Sequence, residues 1–138
     1  MRLFLDANVL FTAAHNPAGR AAALFALARH GVCVLLTSPH AAEEATRNLR
    51  LKYPDVVGVL DDLLQIASVI SEAAGEDVAW ALEQGLPADD APILAASARA
   101  HADLLVTGDR THFGAMYGRK FRGVEVLSPG QALARVLK

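Results

Sequence analysis

Apolar residues gather in five short runs, at residues 3–5, 32–37, 67–70, 104–106 and 124–127, and each run reads as a strand. The run Leu104, Leu105, Val106 is continuously apolar, as expected of a central parallel strand covered on both faces. Between the runs, apolar positions recur at helical spacing. Asn16 or Pro17 opens one such pattern, with Ala21, Leu24, Phe25 and Ala28 on one face and closure at Gly31. Ser38 reads as an N-cap ahead of Pro39, the first residue of a helix that continues to about Lys52. After Pro54, the residues Val57, Leu60, Leu63 and Leu64 hold helical register. Helices over residues 77–84 and 90–101 precede the strand at 104–106. The run at 124–127 is expected at the sheet edge, and Ser128-Pro129 caps a final helix. Strands alternating with helices predict a parallel, doubly wound α/β sheet.

Two of the strands end in a carboxylate. Leu3, Phe4 and Leu5 lead into Asp6, Ala7 and Asn8, and Leu104 to Val106 lead into Thr107, Gly108 and Asp109. Gly108 is expected to let the backbone turn sharply, so that Asp109 emerges at the strand's carboxyl end. In open α/β sheets that edge is where ligands bind.

Composition narrows the class without naming it. A chain of 138 residues, 53% apolar, fits one domain over 1–138 with a substantial core. The single cysteine, Cys33, lies in an apolar run and reads as a buried thiol compatible with a reducing, cytoplasmic setting. No signal peptide and no membrane-spanning stretch is expected. The net charge of −2 argues against a broadly basic nucleic-acid binder. Basic residues are instead local: Arg47, Arg50 and Lys52 form one cluster, and Arg119, Lys120 and Arg122 beside Phe121 form another. Each alone is explained as a solvated face, and each gains meaning only near the acids.

The acids divide by context. Asp6 ends a strand, where it either caps the next helix or serves a site, and Asn8 crowds the same strand end. Glu43 and Glu44 flank the apolar stripe Ala42, Ala45 and Leu49 on opposite sides, and periodicity does not choose between them. Asp89 and Asp90 precede Ala91-Pro92, where capping accounts for one of them. Asp90 shares a face with Ile93, Leu94 and Ser97, so it is expected to point inward, leaving Asp89 as the N-cap. Converging carboxylates repel one another and call for a cation; hard oxygen donors select Mg²⁺ or Mn²⁺. The histidines lack zinc-ligand spacing. His112, close to Asp109, reads as a surface-loop residue.

These blocks, taken in order, resemble the PIN domain, the fold of metal-dependent ribonucleases that includes the VapC-type toxins of bacterial toxin–antitoxin pairs. DANVL matches the family's first acid at Asp6, with Asn8 its polar neighbour. TSPHAAEEATRNL matches the second block, whose acid stands five residues before a leucine; Leu49 then selects Glu44. DDAPILAASARAHADLLVTGD supplies the third and fourth acids at Asp90 and Asp109, with Thr107 as the small hydroxyl residue before the last. Where some relatives carry a further acid, this chain has Thr111 and His112. The resemblance implies a three-layer α/β/α sandwich around a parallel four- or five-stranded sheet. It further implies an Mg²⁺- or Mn²⁺-dependent endoribonuclease. Asp6, Glu44, Asp90 and Asp109 would hold metal, Asn8 and Thr107 would orient them, and Arg47 and Arg110 would contact phosphate. The partners it implies are RNA, a cognate antitoxin and a second copy in a homodimer.

Three other classes compete. A haloacid-dehalogenase-type phosphatase wants a second Asp where Asn8 stands. A receiver domain wants its aspartate after a middle strand, where Ile70 is followed by Ser71-Glu72. A non-catalytic PIN-like module that holds RNA or protein would not need all four acids.

Overall fold

The computed structural model describes residues 1–138. Its centre is β1 (Arg2–Leu5), whose last three side chains are fully buried. The neighbours β2 (Val34–Thr37) and β4 (Leu104–Val106) pair parallel to it, Leu3 facing Leu35 on one side and Leu104 on the other. Outward lie β3 (Ser68–Val69) beyond β2, and β6 (Val124–Leu127) beyond β4, both also parallel. A two-residue β5 (Lys120–Phe121) closes the far edge antiparallel to β6. The sheet order is therefore β3-β2-β1-β4-β6-β5.

Five strands are parallel, as expected; the sixth is an addition. It moves β6 off the edge. The hairpin between β5 and β6 turns through Arg122 and Gly123, both at positive φ, 50° and 84°. Glycine adopts that conformation freely and arginine does not. The Arg122 guanidinium lies 3.9 Å over the Trp80 ring and pairs with Asp77 at 3.1 Å, which holds the strained turn against the neighbouring helix.

Seven helices make the outer layers of the α/β/α sandwich. They are α1 (Ala7–His15), α2 (Arg20–Arg29), α3 (Pro39–Lys52), α4 (Val57–Leu63), α5 (Gly75–Glu83), α6 (Ala91–Arg99) and α7 (Pro129–Val136). The first was not anticipated. Sequence patterning leaves residues 7–15 outside any helix because their one strong start signal is Asp6, which reads equally as a site acid. Asp6 is in fact the N-cap of α1, its side chain accepting from the Ala7 N–H. Ser38 caps α3 as expected, and Ser128 caps α7 in a reciprocal capping box with Gln131. On α3 the buried stripe is Ala41, Ala45 and Leu49, so Ala41 takes the place expected for Ala42.

Packing places the site. α6 is buried along nearly its whole length, its alanines allowing close approach to α5 and the sheet. α1 lies against α2, α3 and α4. Cys33 is a buried free thiol within the continuous core. No helix is long and apolar enough to cross a membrane.

Candidate active site

Because β1, β2 and β4 run parallel, they deliver their following residues to one edge of the sheet. Asp6 follows β1, Thr107 to Asp109 follow β4, and α3 starts one residue after β2. Asp6 is 4% exposed and Thr107 is fully buried. Asp6 Oδ1 accepts from the Ala7 N–H at 2.7 Å. Its Oδ2 accepts from the Thr107 hydroxyl at 2.8 Å and from Asn8 Nδ2 at 3.2 Å. Thr107 Oγ1 in turn accepts from the Asp109 N–H at 3.1 Å. Asn8 closes the lattice, its Oδ1 accepting from the Gly108 N–H at 2.7 Å. Asn8 and Thr107 thus tie the ends of β1 and β4 together.

Gly108 earns its place differently from expectation. Its φ is not in the left-handed region; instead, a Cβ there would sit 3.2 Å from Asn8 Oδ1. Closeness to Asn8, not turn freedom, is what a side chain here would disturb. Tyr117, which sequence reasoning missed, donates its hydroxyl to the Thr107 carbonyl at 2.9 Å and so steadies the same loop. A tyrosine eight residues beyond a candidate acid carries no pattern that would reveal this.

The second half of the site is a tight trio. Asp90, Asp109 and His112 bring one ligand atom each within 4.8 Å of one another. His112 Nδ1 lies 2.9 Å from Asp90 Oδ2 and 3.0 Å from Asp109 Oδ2. Asp109 Oδ1 accepts from the N–H groups of Thr111 and His112, which fixes its rotamer. His112 is therefore exposed, as expected, but it also bridges the two acids.

Asp89 is not the N-cap expected of it, while the Asp90 side chain turns toward the site. Asp90 occupies the N-cap position of α6, yet its side chain makes no capping bond. Its carboxylate turns instead to His112. Asp89 is exposed, and its carbonyl oxygen lies 2.9 Å from His40 Nε2. The expected buried face is present: Ile93, Leu94 and Ser97 are all buried beneath Asp90.

Glu44 lies near these acids and is half-buried, while Glu43 is exposed. Burial pushes the Asp6 carboxyl up from 3.8 to about 6, against the bonds from Thr107 and Ala7, and the charges of Asp90 and Glu44 add to the rise. Burial likewise raises Asp90; His112 opposes the rise, and Asp109, Glu44 and Asp89 reinforce it. Four carboxylates thus share one electrostatic neighbourhood, with Asp6 and Glu44 flanking the trio. The donor set is oxygen-rich, with a single imidazole, which suits a hard divalent cation. Arg47 is exposed one turn beyond Glu44 on α3. Arg110 is exposed beside Asp109, its guanidinium 5.8 Å over the Tyr117 ring.

Known proteins agree with this architecture. No curated protein matches the sequence. Among solved structures, PAE2754 from Pyrobaculum aerophilum is similar with a TM-score of 0.71 at 20% identity, covering 99% of this chain and 96% of that one. VapBC2 from Rickettsia felis, bound to a DNA fragment from their promoter, gives 0.66 at 17% identity, covering 93% and 98%. VapC20 from Mycobacterium tuberculosis, a Sarcin-Ricin loop cleaving toxin, gives 0.60 at 14% identity, covering 82% and 94%. At such identities the likeness is one of fold. The sequence profile described as the PIN domain matches residues 2–111, and the chain therefore belongs to the PIN domain family.

Proposed function

We propose that this chain is a single nuclease domain over residues 1–138, an Mg²⁺- or Mn²⁺-dependent endoribonuclease. The observation that carries the reading is the gathering of Asp6, Glu44, Asp90 and Asp109 at one sheet edge, with Asp6 buried and no buried cation to offset them. Those four side chains would hold the ion. When bound, it supplies an activated water and neutralises charge on the scissile phosphate. Asn8 and Thr107 hold the Asp6 carboxylate, and the Thr111 and His112 N–H groups hold that of Asp109, so little reorganisation is needed at the moment of reaction. Arg110 and Arg47 flank the acids and would take the neighbouring phosphates.

Family membership supports phosphodiester hydrolysis, and likeness to a Sarcin-Ricin loop cleaving toxin supports RNA as substrate. Likeness to VapBC2 supports a toxin's role with an antitoxin partner, and we extend the reading to a homodimer. The test is cleavage of single-stranded RNA with Mn²⁺ or Mg²⁺ and with chelator. Cleavage that requires the metal is the expected result; no cleavage under either condition would leave a non-catalytic PIN-like module.

The basic cluster on α3 gives a separate prediction. Arg47 and Arg50 are both exposed and free of ion pairs. The second cluster is partly committed, since Arg122 is held by Trp80 and Asp77. Reversing charge at Arg47 and Arg50 should weaken RNA binding and shallow its salt dependence by about two counterions. A slope equal to wild type, measured by titration across salt concentrations, would return both residues to the role of a solvated face.

A further inference from the structure

A cavity of about 420 Å³ is lined by Pro39, His40, Glu43, Glu72, Val78 and Pro92. It lies between the first turns of α3 and α6 and the segment leading from β3 into α5. Glu43 precedes Glu44 on α3 and Pro92 is two residues beyond Asp90, so the cavity is built on the same two helix starts that carry these acids. Its size is that of a small-molecule cleft.

The lining is specific about what it can accept. The His40 N–H donates to Glu72 Oε1 at 2.7 Å, and His40 Nε2 meets the Asp89 carbonyl at 2.9 Å. A carbonyl only accepts, so Nε2 carries the proton and is spent holding α3 to the loop before α6. Glu43 has no hydrogen-bond or ion-pair partner within the chain. The free polar atoms are therefore acceptors, and the walls are two proline rings and a valine. A phosphate is repelled from such a place. A flat apolar body with a donor edge is accepted.

We propose that this cavity is a base-recognition pocket for an unstacked guanine flanking the scissile phosphate, read by the Glu43 carboxylate. The proposal rests on the nuclease reading, which is what brings RNA to the acids. Guanine presents N1–H and the exocyclic N2 amine side by side, matching both carboxylate oxygens at once. Adenine and cytosine offer one amine beside an acceptor, and uracil one N–H between two acceptors. Sequence-specific RNA recognition commonly takes splayed bases on this edge. A bidentate carboxylate–base pair gives discrimination of roughly tenfold or more.

Two measurements test it. In chelator, guanosine, inosine and adenosine are titrated against the full chain, following the amide resonances of the first turn of α3. Inosine lacks only the N2 amine. Guanosine should bind roughly tenfold tighter than the other two, and Glu43→Gln should erase that difference. In the cleavage assay, replacing guanosine by inosine beside the scissile position should lower kcat/KM by roughly tenfold in wild type, with no such drop in Glu43→Gln. Equal affinity for the three nucleosides, or a preference unaltered by Glu43→Gln, overturns the pocket. So does tighter binding of N-acetylarginine amide than of guanosine, which would give the cavity to a basic side chain of a protein partner. Guanosine selectivity without cleavage of any RNA would count against the nuclease reading and not against the pocket.

Discussion

Asp6→Asn is expected to slow RNA cleavage by roughly a thousandfold, because charge stabilisation worth several kcal/mol is lost. The effect should be confined to chemistry. Asp6 is anchored by the Ala7 N–H on one oxygen and by Thr107 and Asn8 on the other. Asparagine keeps the shape and caps a helix nearly as well, so α1 should still start at Ala7. Single-turnover cleavage at saturating Mn²⁺ is the measurement. A loss of less than about tenfold would mean that Asp6 serves α1 as a cap and nothing more.

The same carboxylate links the site to pH. Its folded value is raised from 3.8 to about 6, chiefly by burial. Between those two values the native state binds more protons than the unfolded chain. The stability that Asp6 contributes therefore falls as pH rises through this window, and the interval corresponds to roughly 3 kcal/mol, lost in full above it. In chelator, wild type should melt higher at about pH 5 than at about pH 7, and Asp6→Asn should flatten that dependence. A profile identical in both proteins would locate the burial penalty elsewhere.

How much of this was legible in the sequence depended on whether a residue had one physical role or two. The strand at Leu104 to Val106 and the Ser38-Pro39 helix start each carry a single unambiguous signal, and both stand where patterning puts them. Asp6 carries two. Reading it as the end of a strand hid α1, for which it is also the cap, although Ala7, Leu10 and Ala14 already stood at helical spacing. Asp89 and Asp90 were separable only by where the Asp90 carboxylate turns, which depends on His112, twenty-two residues away. Gly108 was read as a flexible turn, because its contact with Asn8 crosses from one strand end to another. The two-residue β5 has too few positions for any period, and its turn at Arg122 lacks the usual Asn-Gly signal. Local chemistry was readable; contacts made by the fold were not.

Asp90→Asn should melt at or above the wild-type temperature in chelator and below it in Mn²⁺. Asp90 is held near Asp109 and Glu44, its carboxyl raised by burial and by their charge. Removing that charge relieves repulsion in the metal-free protein, while His112 keeps its contact with Asp109 at 3.0 Å. A metal that binds only the folded state stabilises by about 2.7 kcal/mol at one hundred times its dissociation constant. For a chain of this length that is a rise of about 10 °C in wild type. The variant, short of one oxygen donor, should gain much less. A purely helix-capping Asp90 predicts otherwise, because Asn caps nearly as well and metal would then shift both proteins alike. The geometry already disfavours that role: the side chain sits at the cap position of α6 without making a capping bond. Four melts, of two proteins with chelator and with Mn²⁺, decide the matter. Equal metal-induced shifts would remove Asp90 from the ligand set and leave Asp6, Glu44 and Asp109 to hold the ion.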